Sequence, residues 1–405
     1  MNASEGSTTL STEDHRRFFC AGRPETNINQ RYKLVGRLGT GRRSIVWLAE
    51  DINPRKWRLS RFVAIKILSA EATQAQSVMY DELFIIKHVL RRLADQGPLH
   101  PARKYFPVFF DKVTMTDNLG THFCLAMEPL ITFWAGIRGP FRALSVALTK
   151  SATRQLLTAL RFLHEECGVV HRDIRSENLL VSLTTGDMSL HQYDARARMT
   201  SRPGKIPGST AVLGGLPLSV PSTPSDYFDV MDHSNTLVHN IKITGFGSAI
   251  IEGSLPSSEP AVHCGNMSAP EIILGNTSSF GTDIWSLGCL VYELITGYPL
   301  FEFPPDNAGH HLQLMQEMAE QEFEIPYIRQ GRNFAKYFHT YTNTPRTEVE
   351  DPPNIGNCLH FHSWIAWKDV DDKKDFIDFF LSMMHLHPSD RGTAAELLEH
   401  RWLQS

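Results

Sequence analysis

The sequence has no pair of cysteines at metal-ligand or redox spacing. Its six, Cys20, Cys124, Cys167, Cys264, Cys289 and Cys358, are scattered along the chain, which argues against a zinc site or a disulfide framework and suits a reducing compartment. No apolar run approaches the ~18 residues of a membrane span, and the polar start lacks the basic-then-apolar order of a secretory signal. There is no basic excess either. Forty Lys and Arg against 44 Asp and Glu give a formal net charge of −4, whereas a general nucleic-acid binder is expected to be basic. By elimination the cytosol, the nucleus or both are expected, with neither membrane nor direct nucleic-acid partners. What is left is an ordinary globular chain of 405 residues, 42% hydrophobic and 21% charged, long enough for two substantial cores.

Composition divides it. Residues 1–28 are polar and aperiodic and read as a tail, 29–130 are strand-rich, 131–183 lead through a helical stretch, 184–236 form a low-complexity insert, and 237–405 return to globular composition. Tyr32 to Leu38 alternates like a strand and runs into Gly39-Thr40-Gly41, followed by Ser44-Ile45-Val46-Trp47-Leu48. Glycines at such a turn let the backbone close over phosphates, although a plain hairpin would read the same way. About 20 residues on, Val63-Ala64-Ile65-Lys66 is a buried-strand run ending in a single lysine. Residues 77–93 place Leu83, Ile86, Val89, Leu90 and Leu93 on one helical face, with Glu82, or Asp81 as fallback, at its start. Residues 121–130 read as a strand entering a linker, and 145–166 as a helix leading to His171-Arg172-Asp173-Ile174-Arg175-Ser176-Glu177-Asn178. The insert is dense in Ser, Thr, Pro and Gly, a composition that cannot bury a core and reads as a tether. Beyond it stand Gly245-Phe246-Gly247, Ser268-Ala269-Pro270-Glu271 and the run Gly281 to Cys289.

In this order, from about Tyr32 to Leu403, these stretches resemble a eukaryotic protein kinase. Within that superfamily they most resemble the SR-protein kinases of fungal type, which phosphorylate serines in arginine/serine repeats. The residues that carry this are Leu38-Gly39-Thr40-Gly41 with Ser44 and Val46-Trp47-Leu48, the insert, the catalytic-loop wording, and the ending around Phe379-Phe380-Leu381, Thr393 to Glu396 and His400 to Leu403. The resemblance implies an α+β, bilobal fold with a small β-rich N-lobe carrying one main helix and a larger α-helical C-lobe. It implies ATP with Mg²⁺, or Mn²⁺, and a protein substrate; a monomer is expected. Asp173 is then the residue that accepts the substrate hydroxyl's proton, Asn178 a metal ligand, and Lys66 the partner of the α/β-phosphates and of Glu82. Leu38, Gly39, Gly41, Val46, Ala64 and Leu180 are implied to line the nucleotide, with Met127 behind the adenine and the backbone of Glu128 to Leu130 hydrogen-bonded to it. Asp283 is implied to cap the catalytic-loop backbone, Glu271 to pair with Arg391, and His171, Phe246 and Ile86 to form an apolar spine.

Three residues depart from that pattern. Gly245 stands where an aspartate would hold metal, Arg175 replaces the loop lysine that contacts the transferring phosphate, and Ser268 stands where related kinases carry an arginine. The second keeps the charge, on a planar fork rather than an ammonium. The first removes an oxygen ligand, and the hydroxyls of Thr244 and Ser248 are poorer Mg²⁺ ligands than a carboxylate. Two functions therefore stand side by side: a serine/threonine kinase of unusual metal dependence, or a pseudokinase that binds nucleotide weakly or not at all and works as a scaffold. For an arginine-rich substrate, Asp369, Asp371, Asp372, Asp375 and Asp378, with Glu348, Glu350, Asp351 and Glu177, are the candidate acidic groove, against the plainer reading of a solvated face interleaved with lysines. Ser254, Ser257 and Ser258 are candidate phosphosites.

Overall fold

The computed structural model describes residues 25–41, 43–54, 61–75, 82–136, 143–182, 240–253, 265–301, 308–346 and 355–404. The chain forms two compact units, one of Met1–Asp81, Pro107–Ile131 and Ser182–Asp226, the other of Glu82–Phe106, Thr132–Val181 and Tyr227–Ser405.

The first unit is built on one antiparallel sheet. Its strands are β1 (Asn27–Ile28), β2 (Tyr32–Gly41), β3 (Ser44–Asp51), β4 (Phe62–Leu68), β5 (Phe109–Asp117) and β6 (Gly120–Met127), in the order β1-β2-β3-β4-β6-β5. Strand alternation sorts the side chains. Ile45, Trp47, Ile65, Ile67, Cys124 and Ala126 share one face and a core with Ile28, Tyr32 and Leu34. The register sets Val46 opposite Lys66, Leu48 opposite Ala64 and Ala64 opposite Met127, so these five lie on the other face. Arg31 ties three parts of the sheet together, donating to both carboxylate oxygens of Asp51 at 3.0 Å and to Asp111 at 2.9 Å. The expected tail ends earlier than residue 28: Asn27 and Ile28 pair with Lys33 and Tyr32, and Ile28 is fully buried. A two-residue strand has no periodicity to read, and its turn is made by Asn29 and Gln30 in left-handed backbone conformations.

The second unit is mostly helical. Glu82–Asp95 buries Leu83, Ile85, Ile86, Val89 and Leu93, while Leu90 is only half-buried. This helix, assigned with the strands by sequence, clusters with the second unit. Val146–Arg161 starts at Ser145, whose hydroxyl accepts from Leu148 N, and ends in one π turn, Phe162–Glu166. The helix Phe280–Thr296 is buried nearly all round, with Trp285 fully enclosed. Val370–Met383 sends Phe376, Phe379, Phe380 and Met383 into the same interior, where Trp402 meets Phe376 and Phe379 ring to ring at 5.0 and 4.9 Å. Two short ladders finish the unit: Val169–Val170 pairs with Ile250–Ile251, and Leu179 to Val181 pairs with Ile243 to Ile241.

Candidate active site

In the first unit, the glycine turn lies at the end of β2 and β3, with Gly39 opposite Val46 and Gly41 opposite Ser44. A side chain at Gly39 would meet nothing within 4 Å, so the backbone there can be approached closely from outside. Ser44 is nine-tenths buried, and its hydroxyl lies only 3.3 Å from where a Cβ on Gly41 would lie. Leu38, Val46 and Lys66 are half-buried, and Ala64 and Met127 are buried. Glu128 turns both its N–H, at 2.9 Å, and its carboxylate, at 2.8 Å, to Val108. Its amide hydrogen is therefore not what an adenine would meet. Leu130 is buried at the start of the strand Leu130–Thr132.

In the second unit, one carboxylate organises the loop. Asp283, in the first turn of Phe280–Thr296, accepts from the His171 N–H at 2.8 Å, the Arg172 N–H at 2.7 Å and His164 Nε2 at 2.9 Å. These bonds hold Arg172 at φ 65°, a conformation that a residue with a Cβ adopts only when its surroundings impose it. The next links run through His171. Its Nε2 donates to the Thr244 carbonyl at 3.0 Å, its Nδ1 accepts from Asp173 N at 3.3 Å, and its ring packs edge-on to Phe246 at 4.9 Å. Burial holds this imidazole below the usual histidine range, and so neutral. Asp283, His171 and Phe246 thus stand as the sequence implied. His164 was not singled out, because nothing in a lone helical histidine announces a partner 119 residues away.

Asp173 is half-buried. Desolvation pushes its carboxyl above the ordinary aspartate value, against the opposing pull of His171 and of the hydrogen bond from Asn178. Asn178 gives its amide nitrogen to the Asp173 carbonyl and to Asp173 Oδ2, each at 2.8 Å. Between them, Arg175 grips Glu177 with two parallel bonds, Nε to Oε2 at 2.7 Å and Nη2 to Oε1 at 2.6 Å. Burial would raise the Glu177 carboxyl, but the Arg175 hydrogen bond and charge outweigh it and hold the group below its usual value. Leu180 follows, half-buried, in the strand Leu179–Ser182. Glu82 is buried at the first turn of its helix, in the second unit, while Lys66 belongs to the first.

Gly245 sits in the left-handed region, φ 88° and ψ 36°. A Cβ there would lie 2.5 Å from both Cγ and Oδ1 of Asn178 and 2.6 Å from its Nδ2, closer than such atoms ever come. The carboxamide has taken the space the missing side chain would need. The Thr244 hydroxyl and N–H both donate to the Asn178 carbonyl, at 3.1 and 3.0 Å, so what this residue can offer an ion is a neutral hydroxyl oxygen, a poorer ligand than a carboxylate. The glycine turn and Lys66 fit a nucleotide's phosphates. The divalent-ion donors do not fit: one amide oxygen is left beside a carboxylate already accepting from that same amide, and among the described residues no group of three His, Cys, Asp or Glu could hold a metal ion.

The carboxylates of the acidic run have separate duties, and Asp371 and Asp378 stay exposed. Asp372 is buried, bound to Lys150 at 2.8 Å and to the Lys368 N–H at 3.1 Å, and Asp369 caps the helix by accepting from Asp372 N. Asp375 and Asp378 both pair with Arg401, at 2.7 and 2.9 Å, and Asp371 lies 3.5 Å from Lys374. The sequence could not tell these duties apart because all five carboxylates sit on one helical segment. By contrast the Glu271–Arg391 pair is as implied: two bonds of 2.9 Å, with both side chains fully buried. Asp81, Glu348, Glu350, Asp351, the three candidate phosphoserines and the insert lie outside the described residues.

Comparison with known proteins extends this geometry. The family description "Protein kinase domain" matches residues 229–403. A serine/threonine protein kinase of Aspergillus fumigatus is 24% identical over 393 residues, covering 93% of this chain and 85% of its own. The serine/threonine-protein kinase SRPK of Physarum polycephalum is 27% identical, over 92% of this chain and 85% of its own. SRSF protein kinase 3 of Homo sapiens is 31% identical over 199 residues, 48% of this chain and 33% of that one. The crystal structure of the PF14_0431 kinase domain superposes with a TM-score of 0.63 at 21% identity, over 96% of this chain and 99% of the other, and shows the fold.

Proposed function

This chain has the protein kinase fold and domain, with serine/threonine kinases as its homologues, and on that premise we propose that it transfers the γ-phosphate of ATP to serine in arginine/serine-rich proteins. The observation that carries the reading is the Asp173 carboxylate, directly following a loop backbone fixed by Asp283 and oriented by Asn178. In the reaction the serine Oγ bonds to the γ-phosphorus as the bond to the bridging oxygen breaks, ADP leaves, and the hydroxyl proton passes to Asp173. Protein kinase domains in general use ATP together with a divalent metal. What this chain's own residues supply is the proton acceptor, its positioning by Asn178 and His171, and the cationic Lys66. The serine-rich substrate class is supported by the relatives named SRPK and SRSF protein kinase; the half-exposed Glu177 is the nearest acidic group in the loop and is paired to Arg175.

One observation favours a second reading: with Gly245 lacking a ligand and Asn178 filling its space, the same fold serves as a binding module without turnover. The test is transfer of labelled γ-phosphate to an arginine/serine-repeat peptide, with the unmodified chain beside Asp173→Ala. Labelling that disappears in Asp173→Ala supports the kinase. Labelling that survives the substitution, or none from the unmodified chain under any metal condition, overturns it in favour of the module.

A further inference from the structure

We propose that this chain binds ATP without a divalent cation. The inference rests on the kinase reading for the identity of the nucleotide, and on the structure for the rest. A divalent ion beside phosphates needs protein oxygens aimed at one point, usually one or two carboxylates with waters completing the shell. Here the residue that would bring the carboxylate is Gly245, and the loss has not left a vacancy. Asn178 has its carboxamide against the glycine Cα, so that even a methyl group at 245 would lie 2.5 Å from Oδ1. That position is held from both sides. The amide nitrogen is bonded twice to Asp173, and the backbone carbonyl of Asn178 is held by the N–H and hydroxyl of Thr244. The Thr244 carbonyl, the next oxygen along, is taken by His171. A carboxamide so placed turns one neutral oxygen toward the space and hydrogen-bonds the Asp173 carboxylate. The phosphates' charge must then be met by cationic side chains, and a chelator should cost the complex little.

The experiment is calorimetric titration of ATP into the full chain, once with magnesium chloride and once with excess chelator. The expected result is two dissociation constants within about threefold of each other, a difference well under the 1.4 kcal/mol of a tenfold change. Magnesium tightening ATP by tenfold or more overturns the proposal and leaves the kinase reading standing. Absence of ATP binding in both buffers overturns the proposal and the nucleotide reading together. Two variants then test the cause. Gly245→Asp restores the carboxylate and should acquire magnesium-dependent ATP binding, because it can offer oxygens once Asn178 is displaced; Gly245→Ala displaces the same amide without offering any and should not. Identical responses of the two variants would show that the missing oxygens are not the reason.

Discussion

At the scale of single residues, Asp173 carries opposed demands. Desolvation raises its carboxyl above the usual aspartate value, so the fold favours the protonated form while proton acceptance requires the charged one. The consequences for pH have definite signs. Transfer should fall as pH drops through the raised value, placing the acid limb of the kcat/KM profile above the ordinary aspartate range. The stability cost of holding the carboxylate is absent below the unfolded-state pKa and fully present above the folded one. Asp173→Asn should therefore raise the melting temperature at neutral pH, since the amide oxygen can still accept from Asn178, while lowering the transfer rate by about 10²–10⁴. Scanning calorimetry and the peptide assay measure the two effects on one preparation; a melting temperature that falls would show that Asp173 is not strained by its burial. The residue types here were legible because Asp173, Asn178 and Gly245 occupy fixed offsets in short motifs. The turn of the Asn178 amide into the space at 245 was not, because it depends on backbone angles and on two hydrogen bonds that no spacing encodes.

At the scale of elements, the most consequential link is between the short helix Pro270–Leu274 and the turn that carries Arg391. Arg391 meets Glu271 with two bonds and also donates to the carbonyls of Gly281, His385 and Leu386, at 2.8, 2.7 and 3.1 Å, while Thr282 donates to Glu271 at 2.8 Å. One guanidinium thus joins three segments of chain, with both charged side chains fully buried. Removing it strands a buried carboxylate, so Arg391→Ala should cost about 3–5 kcal/mol in urea unfolding. Arg391→Lys should recover little, because an ammonium cannot reproduce the fork. Replacing both partners by Met and Leu should recover much of the loss, since the apolar pair leaves no charge buried; a double variant as unstable as the single one would locate the energy in the carbonyl contacts instead. This pair was readable from Pro270-Glu271 and a distant arginine. The acidic helix Val370–Met383 was not, because identical Asp side chains cap, pair or become buried according to packing that sequence does not display.

At the scale of the molecule, both the β-rich and the helical unit were legible, because period-two and period-3.6 patterns decide which elements form. Where a helix packs is a different matter, and Glu82–Asp95 shows it: its apolar stripe reads the same whichever unit it covers. The insert raises a similar question, and its ends answer part of it. Val181 leaves one strand and Ile241 enters the next, and these two residues are themselves paired in an antiparallel ladder with Leu180↔Lys242 and Leu179↔Ile243 behind them. The chain between them, residues 182–240, spans no distance that the fold requires. A two-residue Asn-Gly turn is the standard closure for two such strands. Closing a two-residue turn rather than a loop of this length avoids about five doublings of loop length, so the shortened protein should be more stable by about 3 kcal/mol. Ile241 N also donates to Gln155 at 2.8 Å and Lys242 Nζ to the Phe106 carbonyl at 3.0 Å, which holds the second strand in register without help from the insert. If the insert is only a tether, the shortened chain should melt higher and label the arginine/serine peptide at the rate of the full chain. A shortened chain that is equally stable but labels that peptide more slowly would make the insert part of substrate capture.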